Sequence, residues 1–264
     1  MEIKFTKVNY QKFHNISFEI PENEITGIYR TNSDSILDLL MGKVNYDGTI
    51  NFGEEILSNK NKLSLIKKIS IVENTFQNKY SKTTIEEYMT YMFEYYKFDI
   101  KDPRKKIIDS LKIVDLKDNY LTRNITTLST SEKKLLQIAI SLINNPKIII
   151  LEEPFTNLDT KTEKKIFRLL TQLNEKYKIC IIITSKDSEI LYKYTKHLII
   201  FKNNKVLKEG NSKEIYENVK FLLKEDIEIP DIVLFTYKAK TEKKVNIDYH
   251  RDIRDLIKDI YKHV

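Results

Sequence analysis

The sequence predicts an α/β fold: a mainly parallel sheet, an antiparallel β portion near the start, a helical portion in the middle and a small helical extension at the end. Three observations predict it. From residue 131 onward, segments of helical period alternate with short, wholly apolar runs, and strands separated by helices pair in parallel. Residues 2–8 and 16–20 instead alternate apolar and polar side chains, as half-buried antiparallel strands do. Between about residue 84 and residue 113 the spacing is helical throughout.

Taken in order, residues 24–29 are more continuously apolar than the first two strands, and residues 35–42 read as a helix closed by Gly42. Gly48 and Gly53 bracket a short strand, TINF, and another follows at 69–72. Tyr88, Met92 and Tyr95 then fall on one helical face, with Tyr91 and Tyr96 nearby, and they read as an amphipathic core face. A second helix is predicted over 103–113. The later part is more regular: helix 131–144, strand 147–151, helix 161–174, strand 179–184 and short strands at 198–201 and 205–208. Beyond these lies a helical tail.

Composition narrows the function classes. A chain of 264 residues can bury a sizeable core and fits one α/β domain with an appendage, or two small domains. Its net charge is +7, but the excess is mostly lysine spread through the sequence, so no nucleic-acid partner is expected. The single cysteine, Cys180, sits in the apolar run ICIIIT and reads as a buried small side chain. No apolar run approaches membrane-spanning length and the N-terminus lacks signal-peptide shape, so a cytoplasmic chain is expected.

The chemistry is concentrated in LSTSEKKLLQIAISLINNPKIIILEEPFTNLD, residues 128–159. Glu152 and Glu153 follow the apolar strand IIIL directly, at the strand end where ligands of parallel sheets bind. Two adjacent carboxylates there are costly unless a metal, a cation or water receives them, which points to phosphate and Mg²⁺ chemistry.

This stretch resembles the signature helix, Walker B strand and D-loop of ATP-binding cassette (ABC) transporter nucleotide-binding subunits. The resemblance implies an ABC-type P-loop NTPase fold, with ATP and Mg²⁺ as cofactors. It assigns Glu153 to polarising the attacking water and Glu152 to steadying Mg²⁺, where the family has Asp. Tyr10 matches the aromatic residue that stacks on adenine, and Asp159 the D-loop aspartate at the dimer seam.

Several positions depart from the family. In the signature, Leu128 and Ser129 are retained, while Thr130 and Ser131 replace two glycines and Glu132 replaces Gln. Side chains there crowd the backbone amides that would approach a γ-phosphate. The phosphate-loop region, GIYRTNSDSILDLLMG, contributes Arg30, Thr31, Asn32, Ser33, Asp34 and Ser35 to the nucleotide position. It is about three residues short of the G-x-x-x-x-G-K-[ST] pattern and places Asp34 where the lysine belongs. Arg30 is a candidate substitute cation, and Ser35 a candidate Mg²⁺ ligand with Glu152. Asn74 stands at the Q-loop position, with Gln77 a local rival, and Lys186 stands where the family has a histidine. Lys186 is expected to pair with Glu152, Glu153 or Asp34.

The tail, with its proline and amphipathic helices, is similar to the C-terminal domain of energy-coupling factor (ECF) transporter ATPases. That resemblance implies a nucleotide-binding domain over 1–215, its helical subdomain about 78–145, and a C-terminal extension over 216–264. It also implies a second ABC ATPase subunit as partner, a heterodimer being favoured, under a transmembrane scaffold. The chain would then sit peripherally at the cytoplasmic face of the membrane. The replacements favour a catalytically degenerate partner over a fully active ATPase, and over a soluble ABC protein acting on ribosomes or nucleic acid.

Overall fold

A computed structural model describes residues 1–30, 35–41, 44–74, 83–95 and 101–263, except the side chains of Arg30, Ser35, Tyr95 and His263. In chain order the elements are β1 (Ile3–Tyr10), β2 (Phe13–Ile20), β3 (Ile25–Arg30), α1 (Ser35–Leu40), β4 (Asp47–Phe52), β5 (Glu55–Ile56), α2 (Lys62–Ile66) and β6 (Ile69–Val72). Next come α3 (Ile85–Tyr95), α4 (Pro103–Ile113), α5 (Thr130–Leu142), β7 (Ile148–Glu152), α6 (Thr160–Glu175) and β8 (Cys180–Ser185). The chain continues through α7 (Ser188–Tyr194), β9 (His197–Lys202), β10 (Lys205–Asn211), α8 (Ser212–Glu217), α9 (Val219–Lys224), α10 (Asp231–Glu242) and α11 (Ile253–His263). They form two compact units, one of Met1 with Leu57–Ile181, the other of Glu2–Ile56 with Ile182–Val264.

The second unit holds the antiparallel portion. Its strands run in the order β2-β1-β4-β5, with Phe5 opposite Phe18 on one side and Ile50 on the other. The alternation seen in sequence is the pleat made visible: Ile3 and Phe5 are buried while Lys4 and Thr6 are exposed, and the Phe5 and Phe18 rings stack at 4.2 Å. Gly48 is required at the start of β4, because its φ is +95° and a Cβ would lie 2.4 Å from the Lys7 carbonyl oxygen. In the same unit β3 runs parallel to β9, β9 pairs antiparallel with β10, and the order is β10-β9-β3-β8.

The other unit carries the order β8-β7-β6, with β6 and β7 parallel and Val72 opposite Leu151. Ile148, Ile149, Ile150 and Leu151 are all fully buried, which is why β7 reads as an unbroken apolar run. Each such side chain contributes roughly 1.5–3 kcal/mol by leaving water. α5 buries Leu135, Leu136, Ile138, Ala139 and Leu142, and α6 buries Ile166, Leu169, Leu170 and Leu173. These faces hold the start of α5, the end of β7 and the start of α6 in place, and the candidate site is built from those three termini.

Two sequence readings shift. The buried stripe of α3 is Ile85, Tyr88, Met89 and Phe93, whereas Met92 is only half-buried and Tyr91 is exposed. The helix begins at Ile85, and steps of three, four and eight residues from there set the inward face. α2 and α7, at five and seven residues, are too short to show a period and were not expected. Cys180 is buried, as expected. Among the described residues no helix is long and apolar enough to cross a membrane.

Candidate functional site

Glu152 is the last residue of β7, and both it and Glu153 are half-buried. Glu153 has φ +41°, a left-handed conformation that a residue with a Cβ adopts at a cost. The turn closes with the Thr156 amide donating to the Glu153 carbonyl at 3.3 Å, over a buried Pro154 and Phe155. The backbone thus leaves the sheet sharply, with the two carboxylates at the carboxyl end of a parallel strand.

A lysine lies within electrostatic reach of Glu152. Lys134, on α5, is only 4% exposed, and its Nζ donates to the carbonyl oxygens of Glu73 at 3.1 Å and Asn74 at 3.4 Å. Burial pushes its pKa down to about 8, and the Glu152 charge opposes that shift. One turn along α5, Gln137 Nε2 donates to the same Glu73 carbonyl at 3.1 Å. Two side chains of α5 therefore grip the backbone just after β6. Sequence reasoning missed Lys134, although the helical period shows it: the residue precedes Ile138 by four and shares the inward face.

At the start of α5, Ser129 is the N-cap and forms a reciprocal capping box with Glu132. The Glu132 amide donates to Ser129 Oγ at 3.2 Å, and the Ser129 amide donates to Glu132 Oε2 at 2.8 Å. The other carboxylate oxygen accepts from Tyr120 Oη at 2.5 Å and Arg123 Nη1 at 3.1 Å. The Tyr120 hydroxyl above all, then the Ser129 contacts and the Arg123 charge, hold the Glu132 pKa down to about 2 against partial burial. The Arg123 guanidinium also stacks 4.5 Å over the Tyr120 ring. The S-x-x-E pattern was the legible signal for this cap. The same device recurs at α3, where Thr84 and Glu87 exchange bonds of 2.8 and 3.2 Å.

The remaining signature residues divide. Leu128 is buried, Thr130 is exposed, and Ser131 Oγ donates to Thr162 Oγ1 at 3.2 Å. Thr162 Oγ1 in turn donates to Asp159 Oδ2 at 2.7 Å. Asp159 caps α6, its Oδ1 accepting from the Lys161 and Thr162 amides at 2.9 Å each. The Thr162 hydroxyl and amide hold the Asp159 carboxyl below its ordinary pKa. A hydrogen-bond relay therefore joins the signature position to the D-loop position.

In the second unit, Tyr10 ends β1 half-buried and its hydroxyl accepts from Gln11 Nε2 at 2.7 Å. Lys186 is exposed, directly after β8 and before Asp187, the N-cap of α7. Arg30 closes β3 beside Phe201, and Ser35 opens α1. Thr31, Asn32, Ser33 and Asp34 lie outside the described residues, as do Gln77 and Gly42, so the phosphate-loop assignments rest on sequence. Asn74 is exposed, and its carbonyl meets Lys134.

Among the described residues no three His, Cys, Asp or Glu side chains converge on one point. The end of β7 offers two carboxylates, a donor set of the kind that Mg²⁺ takes together with waters and substrate phosphates. Two amides at the start of α5 are already bonded to side chains, which removes donors that an anion at that helix terminus would use.

Residues 13–156 match the family described as ABC transporter. Over 283 residues the chain is 25% identical to the energy-coupling factor transporter ATP-binding protein EcfA3 of Oenococcus oeni, covering 99% of this chain and 97% of that one. It is 29% identical over 181 residues to the corresponding EcfA2 protein of Mycoplasmopsis synoviae, covering 69% of this chain and 58% of that one. The fold is that of cbiO1 from Clostridium perfringens, part of the ABC transporter complex cbiONQ: the TM-score is 0.74 at 24% identity, over 89% of this chain and 98% of that one.

Proposed function

The chain belongs to the ABC transporter family, and on that premise we propose that it is the ATPase-type subunit of an ECF-type importer that has given up most of its own phosphate chemistry. Similarity to an energy-coupling factor ATP-binding protein extends over 99% of the chain, which supports reading 216–264 as an extension joined to a nucleotide-binding domain over 1–215. In this reading the chain pairs with a second, hydrolytically active ABC ATPase subunit. The pair sits peripherally on a transmembrane scaffold at the cytoplasmic face and drives uptake of a vitamin or metal ion.

The observation that carries the degenerate reading is the Ser129–Glu132 cap. A signature segment that grips a γ-phosphate needs free amides and a site without negative charge. Here two amides are bonded within the cap, and a carboxylate held ionised by Tyr120 and Arg123 occupies the same turn. Glu153, Tyr10 and Asp159 retain the family's residue types, so an ATP-hydrolysing subunit is the alternative. Hydrolysis and equilibrium binding of ATP with Mg²⁺, measured on the purified chain alone and with a candidate second ATPase, separate the two. We expect no turnover by the chain alone. Turnover that disappears in Glu153→Gln overturns the degenerate reading, and failure to co-purify with any second ATPase or multi-spanning protein overturns the transporter assignment.

A further inference from the structure

We propose that the C-terminal extension is a two-ended clamp on α7, so that docking of the extension and placement of the backbone at Lys186 and Asp187 are one equilibrium. The inference stands on bonds made around α7 within the second unit, and it holds whether or not the chain hydrolyses ATP.

A helix of seven residues is too short to hold itself, so the contacts at its ends decide whether α7 forms. At its start, the Asp187 side chain accepts from the Ile190 amide at 3.1 Å, and the Ser188 amide donates to Glu228 Oε2 at 3.4 Å. Glu228 lies between α9 and α10. The exchange also runs the other way. Pro230, the N-cap of α10, brings no side-chain acceptor, and Glu189 of α7 accepts from the Asp231 amide through Oε1. Each N-terminus therefore takes an acceptor from the other's segment, and separating them leaves a helix donor unmatched on both sides. At the far end of α7, Arg251 donates through Nη1 to the carbonyl of Thr195, the C-cap, and its guanidinium lies 5.4 Å from the centre of the Tyr192 ring. A cation placed there also meets the negative end of the helix dipole. Buried Leu191 and Tyr192 fill the span between the two ends. Lys186, which stands where the family has a histidine, is joined to α7 through Asp187, so a pull on the extension is passed along α7 to Lys186.

Hydrogen exchange of the full chain, read by mass spectrometry, tests the clamp. Glu228→Ala is expected to speed exchange about tenfold over residues 186–195, with β1 and β9 unchanged. Glu189→Ala is expected to speed exchange by a similar factor over the first two turns of α10. This reciprocity is required, because two segments that share one equilibrium affect each other equally. Arg251→Ala should raise exchange over 186–195 as well. Unchanged exchange over 186–195 in Glu228→Ala, or over the start of α10 in Glu189→Ala, overturns the proposal. A rise shared equally by β1 and β9 overturns it too, since that is general destabilisation and not release of α7. Should Arg251→Ala fail to fold, the two glutamate variants decide, because Glu228 is exposed and Glu189 only half-buried.

Discussion

Neutralising Glu132 is expected to destabilise the chain in a pH-dependent way. Its carboxyl stands at about 2 instead of 4.5, a difference that corresponds to about 3 kcal/mol between the ionised and protonated forms. The side chain is 23% exposed, so solvent screening reduces the usable part to about 2 kcal/mol. Because the folded-state value is the lower one, the stabilisation is fully present above 4.5 and is lost as pH falls toward 2. Glu132→Gln keeps an acceptor for the Ser129 amide but gives up the charge that Tyr120 and Arg123 address. Thermal unfolding followed by circular dichroism should therefore show the variant melting about 4–6 °C below the parent at pH 7. The two curves should draw together as pH falls through that range and converge only below about pH 2. A gap of less than about 1 °C at pH 7, or one that does not change with pH, would refute the assignment of that stabilisation to the ionised carboxylate.

Three further outcomes follow from the packing. Gly48→Ala should lose about 2 kcal/mol or more, since it combines a left-handed φ with a backbone oxygen 2.4 Å from the new Cβ, and a chemical-denaturation midpoint reads this directly. Leu136→Ala, at a fully buried position on α5, should cost about 2–5 kcal/mol in the same assay. Tyr216→Phe should be neutral or stabilising by up to about 1 kcal/mol, because the Tyr216 hydroxyl is buried with no hydrogen-bond partner among the described residues. A clear loss in that variant would show that the hydroxyl has a partner in solution.

The elements were legible where burial is uniform along them. β7 announces itself because both of its faces are covered, so no polar residue interrupts IIIL. β1 and β2 do so for the opposite reason, one face dry and one wet. The short helices α2 and α7 were not legible, because five or seven residues carry too few turns to set a period against local polarity. At the site, sequence distance was the limit. The Ser129–Glu132 cap spans three residues and is written in the sequence, but Tyr120 and Arg123 lie 12 and 9 residues from Glu132. They reach it only because a turn at Ile125–Thr127 folds the chain back. Lys134 sits 61 residues from the Glu73 carbonyl it meets, and only the packing of α5 against β6 brings them together.

These contacts change the meaning of the replacement at Glu132 in the signature segment. Read against a phosphate-binding template, Glu132 is a misplaced charge and Glu152 a carboxylate one methylene too long. Within the fold, Glu132 is bonded to Tyr120, Arg123 and the Ser129 amide. A ligand phosphate that recruited the start of α5 would have to break the cap first. At about 2 kcal/mol that step alone would weaken binding by roughly 30-fold, before any repulsion from the carboxylate is counted. Under the proposed function, the same bonds that stabilise the folded chain would oppose nucleotide at this surface. An effect of this sign fits a subunit whose retained fold serves assembly with a partner more than turnover of its own.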